Sequence, residues 1–170
     1  AWLNGRILVG EGASQMKYQL KKGKNIWYSF KMELGEDLGA KYYDSELREV
    51  DPFRIKNPVD AARVFFAYLK YLIIKYCTEN NISTDILYAV SIPASFEANQ
   101  RKDLLDALMA NGMKVSKQAL IDEPNAAFIS YAVSRAAEDR PMFISPDYNS
   151  KVLVFDFGGG TCDISILEIG

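Results

Sequence analysis

The longest regular pattern of apolar and polar positions lies in the middle of the chain and predicts a helix. Asn57-Pro58 supplies a helix N-cap followed by a proline at the first helical position. Apolar side chains then recur at helical spacing, at Phe65, Phe66, Leu69, Leu72, Ile73 and Tyr76. The pattern therefore predicts a long amphipathic helix over residues 57–81.

Downstream of this helix, patterns typical of strands and helices alternate. In chain order they are the strand DILYAVSIP, the helix FEANQRKDLLDALMANG, the strand ALID, the helix EPNAAFISYAVSRAAE, the polar loop EDRPMFISPDYNS and the strands KVLVFDF and CDISILEI. In the second helix Leu104, Leu105 and Leu108 should face inward, with Gly112 as its stop. KVLVFDF is apolar on both faces, as in a sheet covered by helices. The alternation predicts an α/β layer with a partly parallel sheet.

The first fifty residues have a different pattern. Short apolar pieces such as RILVG and IWYSFKM alternate with glycines and charges, which is typical of small antiparallel strands joined by turns. We therefore expect a small α+β lobe ahead of the α/β layer.

Composition restricts the class of protein and its partners. The chain has 170 residues, of which 49% are apolar and 25% charged, as in one globular domain or two small lobes. Its 20 Lys and Arg residues are balanced by 22 Asp and Glu residues, so it lacks the basic excess of nucleic-acid or anionic-membrane surfaces. The most apolar segment, VFFAYLKYLIIKYC, is interrupted by Lys70 and Lys75, and no leader is expected. We expect a cytoplasmic protein in a reducing compartment, without nucleic-acid or membrane partners.

The cysteine and histidine counts exclude several hydrolase chemistries. No histidine is present to complete a zinc site or a Ser-His or Cys-His pair. Cys77 and Cys162 are far apart and form no CxxC motif. Both are predicted to be packed, inert thiols, although Cys162 directly follows a candidate site residue.

The candidate chemistry is concentrated in the stretch VFDFGGGTCDISILEI. Gly158, Gly159, Gly160 and Thr161 can offer backbone N–H groups and a hydroxyl to an anion at a hairpin turn. Asp156 and Asp163 flank the turn and can hold a hydrated cation or orient water. The alternative is a glycine-rich hairpin whose aspartates only accept turn hydrogen bonds.

Two further motifs join this turn to a known family. Ile92-Pro93-Ala94 with Phe96 and Gln100-Arg101, then Asp122-Glu123-Pro124-Asn125-Ala126-Ala127, and finally Asp156 to Asp163 resemble the ATPase region of the seventy-kilodalton heat-shock chaperones of the DnaK type. ILVGEGA resembles that family's entry into its small upper lobe. The resemblance extends over nearly the whole chain.

The resemblance implies an actin-like, ribonuclease-H-like ATPase fold, of which this α/β chain would be an incomplete fragment with a small α+β lobe. Residues 1–56 would form the strands of the small upper lobe and residues 57–81 the linking helix. Residues 82–150 would belong to the first large lobe, and the phosphate-loop hairpin of residues 151–170 would open the second.

The resemblance also implies roles for individual residues. Glycines 158 to 160 and Thr161 would form the second phosphate-binding loop. Asp156 would lie near the attacking water, Asp163 in the network of cation and water, and Glu123 would reach the magnesium cluster from the opposite lobe. The implied ligands are ATP or ADP and Mg²⁺, with a monovalent cation as an optional third. The implied partners of the intact parent are unfolded client proteins, a J-domain co-chaperone and a nucleotide exchange factor, in protein folding and the stress response.

The chain departs from the family pattern at its first phosphate loop. No Asp-x-Gly-Thr-Thr segment is present, and Asp37-Leu38-Gly39-Ala40 is interpreted as a plain turn. Ser14 stands where a family lysine points at the γ-phosphate, with Lys17 one helical turn on as a candidate substitute.

Three functions remain open. The first is a piece of a chaperone ATPase, itself inactive in isolation. The second is a divergent nucleotide-binding regulatory module with little turnover, favoured by Ser14, Asn125 and Cys162. The third is an actin-like filament protein or sugar kinase of the same superfamily. We further expect self-association through VLVFDFGGGTCDISILEI, because the missing strands would leave a sheet edge bare. Tyr68, Tyr71 and Tyr76 are expected to pack mainly within the small lobe, with a partner surface as the alternative.

Overall fold

A computed structural model describes residues 1–38, 54–116, 119–138, 150–158 and 162–169. The chain divides into two compact units. The first comprises Ala1–Tyr88 and Glu97–Val115, and the second comprises Ala89–Phe96 and Ser116–Gly170. The lobe boundaries expected from the family resemblance stay a prediction.

The first unit opens with a β-hairpin, as RILVG predicts. Strands β1 (Trp2–Leu3) and β2 (Arg6–Ile7) are antiparallel. They are joined by Asn4 and Gly5, with φ angles of 51° and 75°. Two consecutive positive φ angles at Asn-Gly are the signature of the two-residue turn that best fits the twist of a hairpin. A single helical turn, α1 (Glu11–Ser14), follows.

The expected strand IWYSFKM is wrong. Ser29 adopts a left-handed conformation, with φ of 58°, and a 3₁₀ turn spans Phe30–Glu33. The apolar residues of this segment are used for burial, because Ile26 is fully buried while Trp27 and Phe30 pack against the core of this unit. Of the turn expected at residues 37–40, the structure describes only Asp37 and Leu38. Residues 39–40 lie outside the described residues.

The long central helix is confirmed as α2 (Pro58–Glu79). Its cap is formed as expected, since the Asn57 side-chain Oδ1 accepts a hydrogen bond of 2.8 Å from the Asp60 backbone N–H. The core-facing positions differ from the predicted stripe. The buried positions are mostly small, namely Pro58, Ala61, Ala62, Val64 and Cys77.

The larger side chains of the predicted stripe are divided between core and surface. Phe66, Leu69 and Ile73 are half-buried, whereas Phe65, Leu72 and Tyr76 are exposed. Tyr68 and Tyr71 are exposed as well, so the packing expected for the tyrosine cluster is not found. Small residues on the buried face let neighbouring elements approach the α2 backbone closely, which turns the aromatic positions outward.

Helix α3 (Ala98–Met109) packs against α2 and is confirmed with its predicted boundaries nearly unchanged. Leu104 and Leu108 are buried. Gly112 ends the segment with φ of 66°, as its role as a helix stop requires. Asn111 joins the two helices, because its side-chain amide donates to the Arg63 carbonyl at 2.9 Å.

The second unit contains the predicted parallel pair and hairpin. Strands β3 (Val90–Ile92) and β4 (Leu120–Asp122) are parallel. Helix α4 (Glu123–Ala137) begins at the residue that follows β4. Strands β5 (Ser150–Phe157) and β6 (Cys162–Ile169) form an antiparallel hairpin, in which Phe157 pairs with Cys162. The loop predicted over residues 138–150 lies almost entirely outside the described residues.

The expectation that β5 is covered on both faces is wrong. One face of the hairpin is exposed and apolar, and we refer to it as the outer face: Leu153, Phe155, Phe157, Ile164 and Ile166. Cys162 lies opposite Phe157 and is exposed. The expectation that Cys162 is a packed thiol is therefore also wrong. Cys77 is buried as expected. Alternation along β6 explains the difference, because it places Cys162 with Ile164 and Ile166 on the outer face.

No helix in the part of the chain that the structure describes is both long and apolar enough to span a membrane.

Candidate functional site

The site begins at the carboxyl ends of the parallel strands. Ile92 of β3 pairs with Asp122 of β4, so both strands end at the same edge. Pro93 follows one strand and Glu123 the other. In α/β sheets this edge is where ligands usually bind, because loops and helix starts converge there.

The hairpin contributes two further carboxylates. Asp156 and Asp163 occupy directly opposite positions on β5 and β6. Opposed residues in an antiparallel pair have Cα atoms about 4.5–5.5 Å apart, so the two side chains leave the same face side by side. Two adjacent negative charges repel each other, which favours water or a cation between them.

These elements surround one cavity of about 240 Å³. It is lined by Pro93, Ala94, Ser95, Glu123, Pro124, Val154, Asp156, Asp163, Ile164 and Ser165. The structure therefore brings together all three residues that the sequence analysis placed in the catalytic role. All residues that line the cavity belong to the second unit. The approach of Glu123 from an opposite lobe stays a prediction.

The predicted phosphate-binding loop is described only at its first residue. Gly158 follows β5 and is exposed. Gly159, Gly160 and Thr161 lie outside the described residues. Their role as anion-binding groups stays a prediction, and the structure describes only the pairing of Phe157 with Cys162 on either side of these four positions.

Sequence analysis missed two hydroxyl groups that line the same cavity. Ser95 lies in the turn after β3, two residues beyond Pro93, and Ser165 lies opposite Val154 on β6. The signal for Ser95 was its place just past the end of a strand. Ser165 could have been found from alternation, since it shares a face with Asp163.

The donor set suits a hydrated cation better than direct coordination. No group of three or more His, Cys, Asp or Glu side chains close enough to hold a metal occurs among the described residues. Asp156, Asp163 and Glu123 nevertheless supply carboxylate oxygens around one cavity. Mg²⁺ prefers oxygen ligands and retains several of its waters, so these carboxylates fit an ion held through water.

Comparison with known proteins identifies the family. The family model described as "Hsp70 protein" matches residues 9–170. The chain belongs to the Hsp70 family. Family membership implies the actin-like ATPase fold, and the mixed α/β arrangement of this Hsp70-family chain is consistent with it.

Individual relatives agree with the family match. The chain is 36% identical to a "Heat shock cognate HSP70 protein" of Trypanosoma brucei brucei over 191 aligned residues, covering 99% of this chain and 25% of that protein. It is 29% identical to a "Chaperone protein DnaK" of Nitrosopumilus maritimus over 168 residues, covering 98% of this chain and 22% of that protein. A DnaK of Thermotoga neapolitana is 31% identical over 170 residues. The chain spans about a quarter of the length of these relatives.

Proposed function

We propose that this chain is part of an ATP-binding chaperone ATPase domain and carries its second phosphate-binding loop. The observation that carries the proposal is the cavity shared by Glu123, Asp156 and Asp163 beside the glycine turn of an Hsp70-family chain. In the longer protein, ATP hydrolysis would drive cycles of client-protein folding, assisted by a J-domain co-chaperone and a nucleotide exchange factor.

The proposed chemistry requires positioning more than covalent participation. Asp156 would orient the attacking water, while Asp163 and Glu123 would hold the waters around the cation. Gly158 to Thr161 would offer backbone N–H groups to the phosphates. When bound, Mg²⁺ would neutralise the charge on the phosphate oxygens. A monovalent cation is an optional addition. Fixed dipoles and carboxylates of this kind are the main contributors to phosphoryl transfer.

A second candidate, a nucleotide-binding regulatory module with little turnover, is favoured by one observation. Ser14 ends α1 and offers a neutral hydroxyl where the family resemblance implies a lysine. Lys17, the candidate substitute, has its ammonium group 5.0 Å from the centroid of the Tyr28 ring. This cation–π contact engages Lys17 in the first unit. The match to the Hsp70 family sets aside the actin-like filament protein and the sugar kinase.

The two candidates differ in turnover by the longer protein. In the chaperone ATPase, Glu123→Ala and Asp156→Ala should leave ATP affinity largely unchanged and slow hydrolysis by roughly two to three orders of magnitude. Glu168→Ala is the matched control, because Glu168 lies on β6 but outside the cavity. Nucleotide binding without measurable hydrolysis in the unmodified protein would select the regulatory module. Turnover at the unmodified rate in both variants would refute the residue assignment.

The 170-residue chain itself is expected to bind ATP weakly and not to hydrolyse it. Only one of the two phosphate loops of the family is present in its sequence, so much of the binding energy would be absent. Calorimetric titration with ATP and Mg²⁺ measures this directly. A dissociation constant below about 1 μM, equivalent to about −8 kcal/mol, would contradict the proposal.

A further inference from the structure

The face of the β5–β6 hairpin opposite the outer face carries a hydroxyl beside the two aspartates. Ser165 lies two residues beyond Asp163 on β6, so both side chains leave the sheet on the same side. The cross-strand partner of Ser165 is Val154, which lies two residues before Asp156. Ser165 is therefore a diagonal neighbour of Asp156, at about 7–8 Å between α-carbons. One water with a hydrogen bond on each side spans about 5.5 Å, so it can join the hydroxyl to either carboxylate.

The hydroxyl of Ser165 is available to the contents of the cavity. Ser165 lines the cavity of about 240 Å³ and is half-buried. Its hydroxyl forms no hydrogen bond with another residue in the part of the chain that the structure describes. The cavity has room for several waters, since each occupies about 30 Å³ in the liquid. Water inside the cavity is therefore the natural partner of this hydroxyl.

A hydroxyl supplies a function that the carboxylates of the cavity lack. Ionised Glu123, Asp156 and Asp163 only accept hydrogen bonds, whereas a serine hydroxyl both donates and accepts. A water that attacks phosphorus directs a lone pair at the phosphorus atom, so its two protons are best held by two acceptors. Asp156 is the first acceptor in the proposed function, while the other two carboxylates hold the waters of the cation. The oxygen of Ser165 is suited to be the second acceptor, because the hydroxyl can donate its own hydrogen to a neighbouring carboxylate.

We propose that Ser165 is a further catalytic residue of this site, whose hydroxyl accepts a hydrogen bond from the water held by Asp156 and donates one to the Asp163 carboxylate. The inference rests on the proposed function, because it assigns a residue to the same ATP site. Ser165 itself forms no bond to phosphorus. The water oxygen bonds to the terminal phosphorus, the bond from this phosphorus to the oxygen of ADP breaks, and one proton passes to solvent by way of Asp156. Ser165 restricts the water to the orientations that lead to reaction.

The first test is ATP hydrolysis by the longer protein. Ser165→Ala removes one oxygen atom and should lower kcat by about threefold to tenfold, the rate equivalent of one hydrogen bond, with KM for ATP unchanged. Ser165→Thr retains the hydroxyl on a side chain suited to a strand and should recover most of this loss. Ser91→Ala is the matched control, because Ser91 lies on β3 and outside the cavity. An unchanged kcat in Ser165→Ala, or an equal loss in Ser165→Thr, would overturn the inference.

The second test measures binding without turnover. ADP with Mg²⁺ and aluminium fluoride imitates the phosphoryl group during transfer together with the attacking water, whereas ADP with Mg²⁺ alone does not. In calorimetric titrations of the longer protein, Ser165→Ala should weaken the affinity for the fluoride complex by about threefold to tenfold and leave the affinity for ADP unchanged. Equal changes in the two affinities would assign Ser165 to packing rather than to the water, and would contradict its catalytic role.

The outcomes separate this inference from the proposed function. A slow Asp156→Ala variant with a Ser165→Ala variant at the unmodified rate would leave the proposed function in place and remove the role of Ser165. An unmodified rate in Asp156→Ala would overturn both. Ser95→Ala tests the other hydroxyl of the cavity, which is exposed in the turn after β3 and is expected to have the smaller effect. A loss of kcat in Ser95→Ala but not in Ser165→Ala would assign the water to Ser95 and overturn the inference.

Discussion

At the scale of single residues, the carboxylates of Asp156 and Asp163 place two like charges side by side in the hairpin that carries the candidate site. The two carboxylates lie directly opposite each other on β5 and β6. Like charges in such cross-strand pairs destabilise a sheet. At the far end of the same hairpin, the opposed residues Lys151 and Glu168 have opposite charges, with Nζ and Oε1 4.0 Å apart.

We predict that Asp156→Asn stabilises the 170-residue chain by about 0.2–1 kcal/mol, because it removes the repulsion without changing side-chain size. Glu168→Gln, which removes an attractive pair in the same sheet, should have the opposite sign and a smaller effect, since both charges are largely exposed. Urea denaturation of the two variants measures both changes. Destabilisation by Asp156→Asn would show that the pair is already neutralised within the folded chain.

The terminal amine of Ala1 is a second residue with an unusual environment. It donates a hydrogen bond of 2.7 Å to the Leu8 carbonyl, and burial lowers its pKa from 8.0 to about 6. The unfolded chain therefore binds more protons than the folded chain between these values. Stability linked to this group is fully present above about pH 8 and decreases as the pH falls towards 6.

We predict that the free energy of unfolding of the chain with a free amino terminus rises between pH 6 and pH 8. The chain contains no histidine, so no other side chain with an ordinary pKa titrates in this window. Chemical denaturation at several pH values tests this, with the Nα-acetylated chain as the control. A slope of the same size in the acetylated chain would assign the dependence to another group.

At the scale of elements, the caps and stops are determined locally. Asn57 caps α2 through its side chain, Pro58 follows at the first turn, and Gly112 ends the segment after α3 with a positive φ. Gly35 shows a different constraint, because a Cβ there would lie 2.8 Å from Asn99 Nδ2 on α3. Its N–H also donates to the Asp103 carboxylate at 2.8 Å, so this loop is held against the helix.

We predict that Asn57→Ala destabilises the chain by about 1 kcal/mol, since the Asp60 N–H would lose its acceptor at the start of the longest helix. Asn57→Asp, which retains an acceptor oxygen, should stay within a few tenths of a kcal/mol of the unmodified chain. Thermal or urea unfolding followed by circular dichroism at helix wavelengths distinguishes the two. Equal stability of both variants would mean that water replaces the cap without cost.

At the scale of the whole molecule, the outer face of the β5–β6 hairpin is an exposed apolar surface in the part of the chain that the structure describes. Its five large residues are between 58% and 79% exposed. Phe155 and Phe157 stack with their ring centroids 6.0 Å apart and their ring planes 11° from parallel. Contiguous apolar patches of this kind usually mark an interaction surface. The chain that contains this hairpin spans about a quarter of the length of its Hsp70 relatives.

We predict that the 170-residue chain self-associates by apposing two outer faces around a two-fold axis. In this arrangement each apolar face covers the other, and Lys151 of each copy faces Glu168 of the other. A double variant, Phe155→Gln with Ile164→Gln, should shift the chain to monomer, whereas Leu87→Gln, at a residue that is 97% exposed elsewhere, should not. Light scattering over about a hundredfold range of concentration measures the mass, because association follows mass action. A constant monomer mass in the unmodified chain would contradict the prediction.

The sequence by itself determined the local features and the family. Caps, glycine stops and alternation depend on neighbouring residues, which is why α2, α3, α4 and the β5–β6 hairpin were predicted close to their observed bounds. The three motifs around Pro93, Glu123 and Asp156 identified the Hsp70 family and predicted the carboxylates that line the candidate site. These patterns can be recognised in the sequence because their chemistry does not depend on contacts with residues that are distant along the chain.

Only the tertiary structure decided which apolar side chains are buried and what surrounds them. Periodicity identified the apolar positions of α2 but not the small-residue face that packs, because Ala61 and Ala62 carry little hydrophobic signal and yet permit the closest approach. The strand expected at IWYSFKM became an irregular segment, since burying Ile26 and Trp27 in the first unit outweighed strand propensity. The exposure of Cys162 and the meeting of Glu123 with the aspartates both depend on residues distant in sequence. Such contacts are fixed by how the elements pack, a property that no local pattern contains.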